Sequence, residues 1–305
     1  MRTPLRVALT GGTGFVGSHV IDHALAAGHD ILALTRRDQA PRTGVTWVAG
    51  DLEQPATLKR LVEGADAVIH VAGVINAPDA AGFAQGNVAG TLAMLAAATA
   101  GGAKRFVHVS SLAAREPKLS LYGASKARSE ALVQGSGLDW AIVRPPAVYG
   151  PGDRETLELF RMARHRLLIM PPRGRLSLIH VGDLARLLLA LADPAAPSGL
   201  TIECDDGHPG GYSHREFGRA LGAAIGTRPA ILAAPAPLLK LAARADRLVR
   251  RDKAKLTPDR AAYFSHRDWV ANPRLAAPPS LWAPKVDAVR GLKETADWYR
   301  AKGWL

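Results

Sequence analysis

The residues with the clearest potential for acid–base chemistry are Tyr122 and Lys126, which lie four positions apart in the sequence. Residues 120–133 have the pattern of a helix, and positions i and i+4 share one helix face. An ammonium group beside a phenol stabilises the phenolate, so this spacing predicts that Lys126 lowers the pKa of Tyr122 from about 10. Such a phenol could exchange a proton with a substrate oxygen while a hydride moves at the neighbouring carbon.

Two serines precede this predicted helix. Ser110 and Ser111 follow the apolar run at residues 104–109, which is typical of a buried strand. A hydroxyl group at that strand end could orient a carbonyl group toward the phenol. Tyrosine and lysine at helical spacing also occur by chance on surface helices, so this motif alone is weak evidence. Its weight comes from the serines and from a glycine-rich loop nearer the N-terminus.

The glycine-rich loop follows the first predicted strand, residues 5–9, and precedes a segment with apolar residues at helical spacing. Glycine turns also close ordinary loops between strands and helices, but this order is the context of a dinucleotide phosphate site. Gly11 permits a tight turn, Gly14 the approach of a pyrophosphate and Gly17 close packing of helix on sheet. The helix N-terminus offers N–H groups to the phosphates. The residues assigned to this loop are Thr10, Gly11, Thr13, Gly14, Phe15, Val16 and Gly17.

Two arginines follow the second predicted strand, residues 30–34, at the place where an NAD enzyme carries an acid for the ribose 2′-hydroxyl. Guanidinium groups suit phosphate geometry, so Arg36 and Arg37 favour NADP(H) over NAD(H), with Arg36 the better candidate. The alternative is a pair of surface arginines without a ligand. Asp51 follows the next strand and could accept a hydrogen bond from the adenine amino group, cap the following helix, or do both.

Further motifs occur at intervals through the first 185 residues, and together they resemble the extended short-chain dehydrogenase/reductase superfamily. Nucleotide-sugar epimerases, dihydroflavonol-type reductases and 3β-hydroxysteroid dehydrogenases are members of this group. The matching segments are 10–17, 51–52, 70–73, Asn87 with Gly90 and Thr91, 110–111, Tyr122 with Lys126, 144–152 and 179–185.

The resemblance implies that Tyr122 is the acid/base and Lys126 its partner, and that backbone around Pro145 to Val148 touches the nicotinamide. The residues assigned to the cofactor site on this basis are Leu52, Val71, Ala72, Gly73, Asn87, Ser110, Tyr122, Lys126, Pro145 and Val148. Many extended members carry the catalytic serine or threonine one position later, where this chain has Leu112. Ser111 is therefore the first candidate for the catalytic serine and Ser110 the second.

The order of predicted elements indicates an α/β protein: a Rossmann doubly wound parallel sheet with a smaller C-terminal substrate lobe. Residues 1–150 are assigned to the dinucleotide-binding domain, with residues 176–192 returning to it, and residues 151–305 mainly to the lobe. Arg154 in the lobe could meet an anionic substrate or lie in solvent. His70 and His180 are expected to be structural.

The composition places the chain among globular proteins of a reducing compartment. It has 305 residues, 48% of them hydrophobic, and a single cysteine, Cys204. One cysteine excludes an internal disulfide framework. The first strand begins almost at the N-terminus, and no apolar run reaches the roughly 18 residues of a membrane span. These features predict a cytoplasmic protein, and the sequence indicates no metal site.

The formal net charge of +12 at pH 7 raises the question of an acidic partner. The arginines are dispersed and no nucleic-acid motif is present, so nucleic acid is not expected. Residues 238–256 combine an apolar stripe with a basic face. This segment is either a lobe helix with a solvated basic face or a peripheral contact with the inner face of an anionic membrane. A homodimer is the default oligomer.

The sequence therefore predicts an NADP(H)-dependent oxidoreductase that moves a hydride between nicotinamide and a secondary alcohol or ketone, a small molecule that could be lipid-like or steroid-like. An NAD-dependent epimerase or dehydratase is the enzymatic alternative. A non-catalytic NADPH-binding accessory subunit, like that of respiratory complex I, is the alternative from another class. The intact pair of Tyr122 and Lys126 favours a catalyst.

Overall fold

A parallel sheet of seven strands forms the centre of the protein, whose computed structural model describes residues 4–234 and 258–305. The strand order is β3-β2-β1-β4-β5-β6-β11, and every neighbouring pair is parallel. These strands are β1 Arg6–Thr10, β2 Asp30–Thr35, β3 Val45–Ala49, β4 Ala67–His70, β5 Arg105–Val109, β6 Asp139–Arg144 and β11 Leu200–Glu203. The predicted doubly wound fold is confirmed.

Helices cover both faces of the sheet because its strands carry apolar side chains on both sides. Val7 and Leu9 of β1 join one buried cluster, whereas Ala8 between them joins the other. The first cluster includes helices α1 and α7, and the second includes helices α2, α4 and α5. These helices are α1 Phe15–Ala26, α2 Pro55–Val62, α4 Gly90–Ala100, α5 Leu121–Gln134 and α7 Val181–Ala192.

The strand order reverses at β1, which has β2 on one side and β4 on the other. A crevice forms at such a switch point, outside the carboxyl ends of the strands, and ligands bind there in open α/β sheets. The glycine-rich loop follows β1, and the two arginines follow β2. Residues 71–73 follow β4, and the two serines follow β5. The fold therefore gathers the predicted site residues at one edge of the sheet.

A third buried cluster belongs to the smaller lobe and is built on helices α6, α8 and α10. Short strands pair within this part of the chain: β7 with β10, β8 with β13, and β9 with both β12 and β14. The helices of the lobe are α6 Glu155–Arg164, α8 His214–Ile225, α9 Pro258–Phe264 and α10 Ala288–Ala301, whereas the short helix α3 Ala80–Phe83 lies between β4 and α4. The strands are β7 Ala147–Tyr149, β8 Leu167–Met170, β9 Arg175–Leu176, β10 Leu178–His180, β12 Tyr212–Ser213, β13 Ala230–Ala233 and β14 Asp268–Trp269.

The part of the chain that returns from the lobe to the main sheet is longer than the predicted residues 176–192. Helix α7 packs with α1, and β11 then adds the strand beside β6. The division into two domains remains our proposal, with β11 as an additional segment on the nucleotide side. Arg154 is exposed, and its guanidinium stacks 5.0 Å from the ring centre of Trp304.

Three further expectations concern the lobe and the membrane. The single cysteine, Cys204, is buried, and burial raises the pKa of its thiol. The basic segment at 238–256 lies outside the described residues. Within residues 4–234 and 258–305, no helix is long and apolar enough to cross a bilayer.

Candidate active site

The glycine-rich loop has the close contacts that its sequence predicts. Gly11 has a φ of +74°, and a Cβ atom there would lie 2.9 Å from the backbone nitrogen of Ala72. A Cβ atom on Gly17 would collide with the carbonyl oxygen of Gly11. Gly14 is the N-cap of α1, and both Thr13 and Gly14 are exposed. The loop thus presents open backbone at a helix N-terminus, which fits a dinucleotide phosphate.

Arg36 and Arg37 are exposed at the carboxyl end of β2. The hydroxyl of Thr35 shapes this turn by donating to the carbonyl oxygen of Arg37 at 2.6 Å and accepting from its N–H at 3.2 Å. Among the described residues, no side-chain hydrogen bond or ion pair engages either guanidinium group. Both groups are therefore free to meet a ligand at the rim of the site.

Asp51 forms a local turn and does not cap the next helix, so that prediction is wrong. Its carboxylate accepts from the N–H of Glu53 at 2.9 Å, whereas the N-cap of α2 is Gln54. Pro55 at the first helical position moves the helix start beyond the reach of Asp51. The carboxylate remains half-exposed at the strand end, and its predicted contact with adenine stays a prediction. Leu52 packs beside Gly90, whose absent Cβ leaves room for it.

A buried histidine joins the ends of β1 and β4. The Nδ1 atom of His70 lies 2.8 Å from the hydroxyl oxygen of Thr10, which also accepts from the N–H of Ala72 at 3.1 Å. The Nε2 atom of His70 lies 3.2 Å from the hydroxyl oxygen of Thr91. Burial, aided by the charge of Lys126, lowers the pKa of His70 to about 3, so the ring is neutral. His70 thereby fixes the backbone at residues 71–72.

Asn87 connects this cofactor side to the helix of Tyr122. Its amide binds the backbone of Val74 in both directions, accepting at 2.8 Å and donating at 3.0 Å. It also donates to the hydroxyl of Ser125 in α5 at 2.8 Å. A Cβ atom on Gly73 would lie 2.8 Å from the side-chain oxygen of Asn87. Asn87 therefore acts on the site by positioning backbone, and any direct contact with a cofactor stays a prediction.

The structure places Ser111 and Tyr122 on two elements that pack together. Ser111 is the N-cap of the 3₁₀ helix Leu112–Arg115, and Ser120 caps α5 by accepting from the N–H of Gly123 at 3.0 Å. Burial raises the pKa of Tyr122, and the hydroxyl of Ser111 offsets part of that rise. The predicted lowering by Lys126 is therefore wrong for this structure: the dominant influence on the phenol is its removal from water.

Lys126 is buried, and its ammonium group donates to the carbonyl oxygen of Val109 at 2.7 Å. Burial lowers the pKa of Lys126 to about 8, while the carboxylate of Glu130 raises it. The lysine lies on the same helix face as Tyr122, at the end of β5. It can thus hold a hydroxyl-rich ligand at the strand end, although it does not activate the phenol here.

We expect Lys126→Met to stabilise the protein at neutral pH while removing activity. In the wild type the ammonium group is buried with a pKa of about 8, and replacing it removes a desolvation penalty worth about 1–3 kcal/mol. As pH rises through 8, the native wild type loses this proton while the unfolded chain keeps it up to about 10.4. The advantage of Lys126→Met should therefore shrink across that window, as measured by urea unfolding at several pH values. An advantage independent of pH would contradict this explanation.

Ser110 points away from Tyr122 into a buried ionic network. Its hydroxyl donates to the carboxylate of Glu130, which also binds the guanidinium of Arg144 at 2.9 and 2.6 Å. Arg144 in turn reaches Glu203 at 3.4 Å, and Arg115 reaches the same carboxylate at 3.2 Å. The structure therefore favours Ser111 over Ser110 as the serine that could touch substrate. The sequence did not reveal this network because its residues are far apart along the chain.

The segment around Pro145 lies beside the serines. The carbonyl oxygen of Pro145 accepts from the N–H of Leu112 at 3.1 Å, and the N–H of Ser110 donates to Val143 at 2.7 Å. Val148 follows in β7, opposite Ile179 of β10. These bonds place the 145–148 backbone next to the Ser111 helix, as its predicted role in the site requires.

Comparison with known proteins agrees with this geometry. A family model described as the NAD dependent epimerase/dehydratase family matches residues 7–202. The chain belongs to this family. Its members are Rossmann-fold enzymes that use NAD(P), and relatives of this chain are named reductases and epimerases. The chain is accordingly an NAD(P)-dependent oxidoreductase.

This member of the epimerase/dehydratase family is similar to two named relatives and to one solved structure. It is 38% identical over 309 residues to a ceramide reductase of Caulobacter vibrioides, covering 98% of this chain and 96% of that protein. It is 32% identical, over 67% of its length and 69% of the relative's, to a farnesyl-dihydroquinoline-oxide ketoreductase of Stigmatella aurantiaca. The Bordetella bronchiseptica enzyme WbmG in complex with NAD has the same fold, with a TM-score of 0.75, 20% identity and coverage of 99% and 96%.

Proposed function

We propose that this protein is an NADP(H)-dependent reductase of a ketone, in which Tyr122 is the general acid/base, Ser111 orients the carbonyl group and Lys126 binds the cofactor ribose. The observation that carries the proposal is the close packing of α5, which holds Tyr122, on the 3₁₀ helix that Ser111 caps: a Cβ atom on Gly123 would lie 2.6 Å from the carbonyl oxygen of Ala113. These two helices lie at the carboxyl edge of a sheet whose glycine-rich loop has the close backbone contacts of a phosphate site. A hydroxyl pair at this position can bind one carbonyl oxygen.

The residues around the switch point fit a dinucleotide. The exposed backbone at Gly14, held by the tight turn at Gly11 and the close packing at Gly17, would bind the pyrophosphate, and Arg36 would bind a 2′-phosphate. The pyrophosphate would also be flanked by Thr13, Phe15 and Val16. The adenosine would lie toward Arg37, Asp51 and Leu52. The nicotinamide would lie toward Val71, Ala72, Gly73, Pro145 and Val148. When bound, the nicotinamide supplies or accepts the hydride, and the protein supplies geometry and proton control.

The protonation state of Tyr122 suits reduction. Because burial raises its pKa, the phenol carries its proton at neutral pH. In the reductive direction Tyr122 donates that proton to the carbonyl oxygen as the carbon is reduced, which leaves an alcohol. The hydroxyl of Ser111 donates to the same oxygen and holds it in place. Oxidation of the alcohol would require the phenolate and would be favoured at higher pH.

Relatives support a ketone with apolar substituents as the substrate. The names of the two relatives above describe a ceramide reductase and a ketoreductase whose substrate carries a farnesyl group. A third relative, 30% identical over 73% of this chain, is a 2-alkyl-3-oxoalkanoate reductase of Stenotrophomonas maltophilia. These names share reduction of a substrate with lipid-like character, which we propose for this chain as well.

An NAD-dependent epimerase or dehydratase is the second candidate function. It is favoured by the family and by solved structures of similar fold that contain NAD. The exposed Arg36 and Arg37 argue against it, because the two residues that directly follow β2 are arginines and not acids. An accessory NADPH-binding subunit would not need Ser111, Tyr122 and Lys126 on neighbouring elements.

We expect Arg36→Ala to weaken NADPH binding at least tenfold, since a charged hydrogen bond contributes about 1.5–3 kcal/mol, and to leave NADH binding within about twofold. The measurement is a fluorescence titration of nicotinamide binding. Arg219→Ala, which removes an exposed arginine on α8, controls for net charge and should change neither affinity. Equal affinities of the wild type for both cofactors, or no effect of Arg36→Ala, would overturn the NADP(H) assignment and favour the epimerase/dehydratase alternative.

Assembly and location are proposals too. We propose a cytoplasmic homodimer that contacts no nucleic acid, with dimerisation through the helices that include α5. Peripheral binding to an anionic membrane through residues 238–256 remains a sequence-based prediction. Co-sedimentation with anionic vesicles at low salt tests it, and a protein that stays in the supernatant would contradict it.

A further inference from the structure

The ring of Tyr122 lies close to two other aromatic rings. Phe83 of α3 is buried, with its ring centre 6.2 Å from that of Tyr122. Tyr263 of α9 approaches from the lobe, with ring centres 6.5 Å apart and an interplanar angle of 84°. Edge-to-face pairs of this kind are stabilising and hold both rings in defined orientations. The proposed acid/base therefore lies beside an aromatic surface formed by Phe83 and Tyr263.

Tyr263 is held in place from both ends of its segment. Its carbonyl oxygen accepts from the indole N–H of Trp269 at 3.0 Å, and the two rings are 4.6 Å apart. At the start of α9, the carboxylate of Asp259 accepts from the N–H of Leu121 at 2.6 Å. Leu121 is the first residue of the helix that carries Tyr122. The position of Tyr263 is thus coupled directly to that helix.

Arg115 couples the same segment to Ser111. Its guanidinium donates to the carbonyl oxygens of Val270 at 2.8 Å and Asp268 at 2.9 Å, on either side of Trp269. Arg115 ends the 3₁₀ helix that Ser111 caps. The aromatic surface formed by Tyr263 and Trp269 is consequently fixed relative to both hydroxyl groups that would bind the substrate oxygen.

Exposed apolar side chains flank the site residues in the sequence. Three of the eight exposed large hydrophobic side chains among the described residues belong to the segments of the site: Ile75 at 54%, Leu121 at 42% and Phe264 at 44% exposure. Ile75 follows Gly73 and Val74, Leu121 precedes Tyr122, and Phe264 follows Tyr263. Exposed apolar residues next in sequence to site residues are consistent with an apolar ligand.

We propose that Tyr263 is a specificity-determining residue, whose ring forms one side of the binding region for an apolar chain attached to the ketone. This inference rests on the proposed reductase function and assigns part of its substrate recognition to α9 of the lobe. Burial of an apolar chain against this ring adds binding free energy with each methylene group. The protein should therefore prefer long-chain ketones, and that preference should depend on Tyr263.

The test compares kcat/KM for 2-undecanone and 2-pentanone with NADPH. The wild type should prefer 2-undecanone. Tyr263→Ala should lower kcat/KM for 2-undecanone at least about tenfold and that for 2-pentanone no more than about twofold, because only the long chain reaches the ring. Tyr263→Phe keeps the ring and should keep the preference. Val289→Ala, which truncates a 76% exposed residue on α10, should change neither value.

Equal losses on both ketones would overturn the inference, since they would mean that Tyr263 acts only on folding or on the chemical step. Titration with NADPH shows whether Tyr263→Ala is folded; if it is not, Tyr263→Leu replaces it, with the same direction expected. If the wild type reduces neither ketone, calorimetric binding of 2-undecanone to the NADPH-bound protein decides. Binding that weakens in the Tyr263 variant supports the inference while the proposed function fails, and binding that is absent or unchanged overturns it.

Discussion

A Tyr122→Phe variant is expected to bind NADPH as tightly as the wild-type protein and to lose reduction by about a thousandfold or more. The phenol carries its proton at neutral pH because burial raises its pKa, and the hydroxyl of Ser111 acts on it directly. Proton transfer by a positioned side chain contributes about 10²–10⁴-fold to a rate. The ring of phenylalanine would keep the contacts with Phe83 and Tyr263, so packing should survive.

Two measurements on the Tyr122→Phe variant test this prediction. Fluorescence titration with NADPH reports binding, and steady-state turnover of a ketone reports catalysis, so the two effects are separated within one variant. Ser111→Ala is the companion: it should lower kcat by a smaller factor, because the phenol and its proton remain. Undiminished turnover by Tyr122→Phe would remove the acid/base role. A wild type that binds NADPH and turns over no ketone would favour the accessory-subunit alternative.

Much of this site could be predicted because its residues are close in sequence to the elements that position them. The glycine-rich loop lies between one strand and one helix, and the contacts of Gly11 and Gly17 follow from that local geometry. Tyr122 and Lys126 share a helix that a serine caps, and the parallel sheet brings strand ends to one edge. Local pattern and sheet direction together determine this part of the structure.

Other features depend on contacts between distant segments. The pKa of Tyr122 rises because Phe83 and Tyr263, one of them 141 positions away, help to bury the phenol. The sequence alone suggested only the effect of Lys126, whose ammonium group is instead bound to a backbone carbonyl. Arg154 stacks on Trp304 for the same kind of reason. Helical spacing places residues on a face but does not determine what that face meets.

The second large effect that we predict concerns stability: a Glu130→Ala variant is expected to lose about 3 kcal/mol of unfolding free energy. Glu130 is buried and binds Ser110 and the guanidinium of Arg144, so its removal leaves a charged group short of partners. Loss of one partner from a buried ion pair costs about 3–5 kcal/mol, and the remaining contact of Arg144 with Glu203 places this case at the lower end. Urea unfolding at neutral pH measures the change.

The control for Glu130 is Glu158→Ala on α6, where the carboxylate is 45% exposed and pairs with Arg161 at 3.3 Å. Exposed pairs of this kind contribute less than about 1 kcal/mol. Glu130 also raises the pKa of Lys126. Glu130→Gln keeps a side chain of the same size but removes its charge, and should therefore shift the titration of Lys126 below pH 8. Equal stability losses in Glu130→Ala and Glu158→Ala would mean that the buried network does not hold Ser110 and α5 together. An unshifted Lys126 titration would mean that the network supports the fold without tuning the lysine that we place at the cofactor.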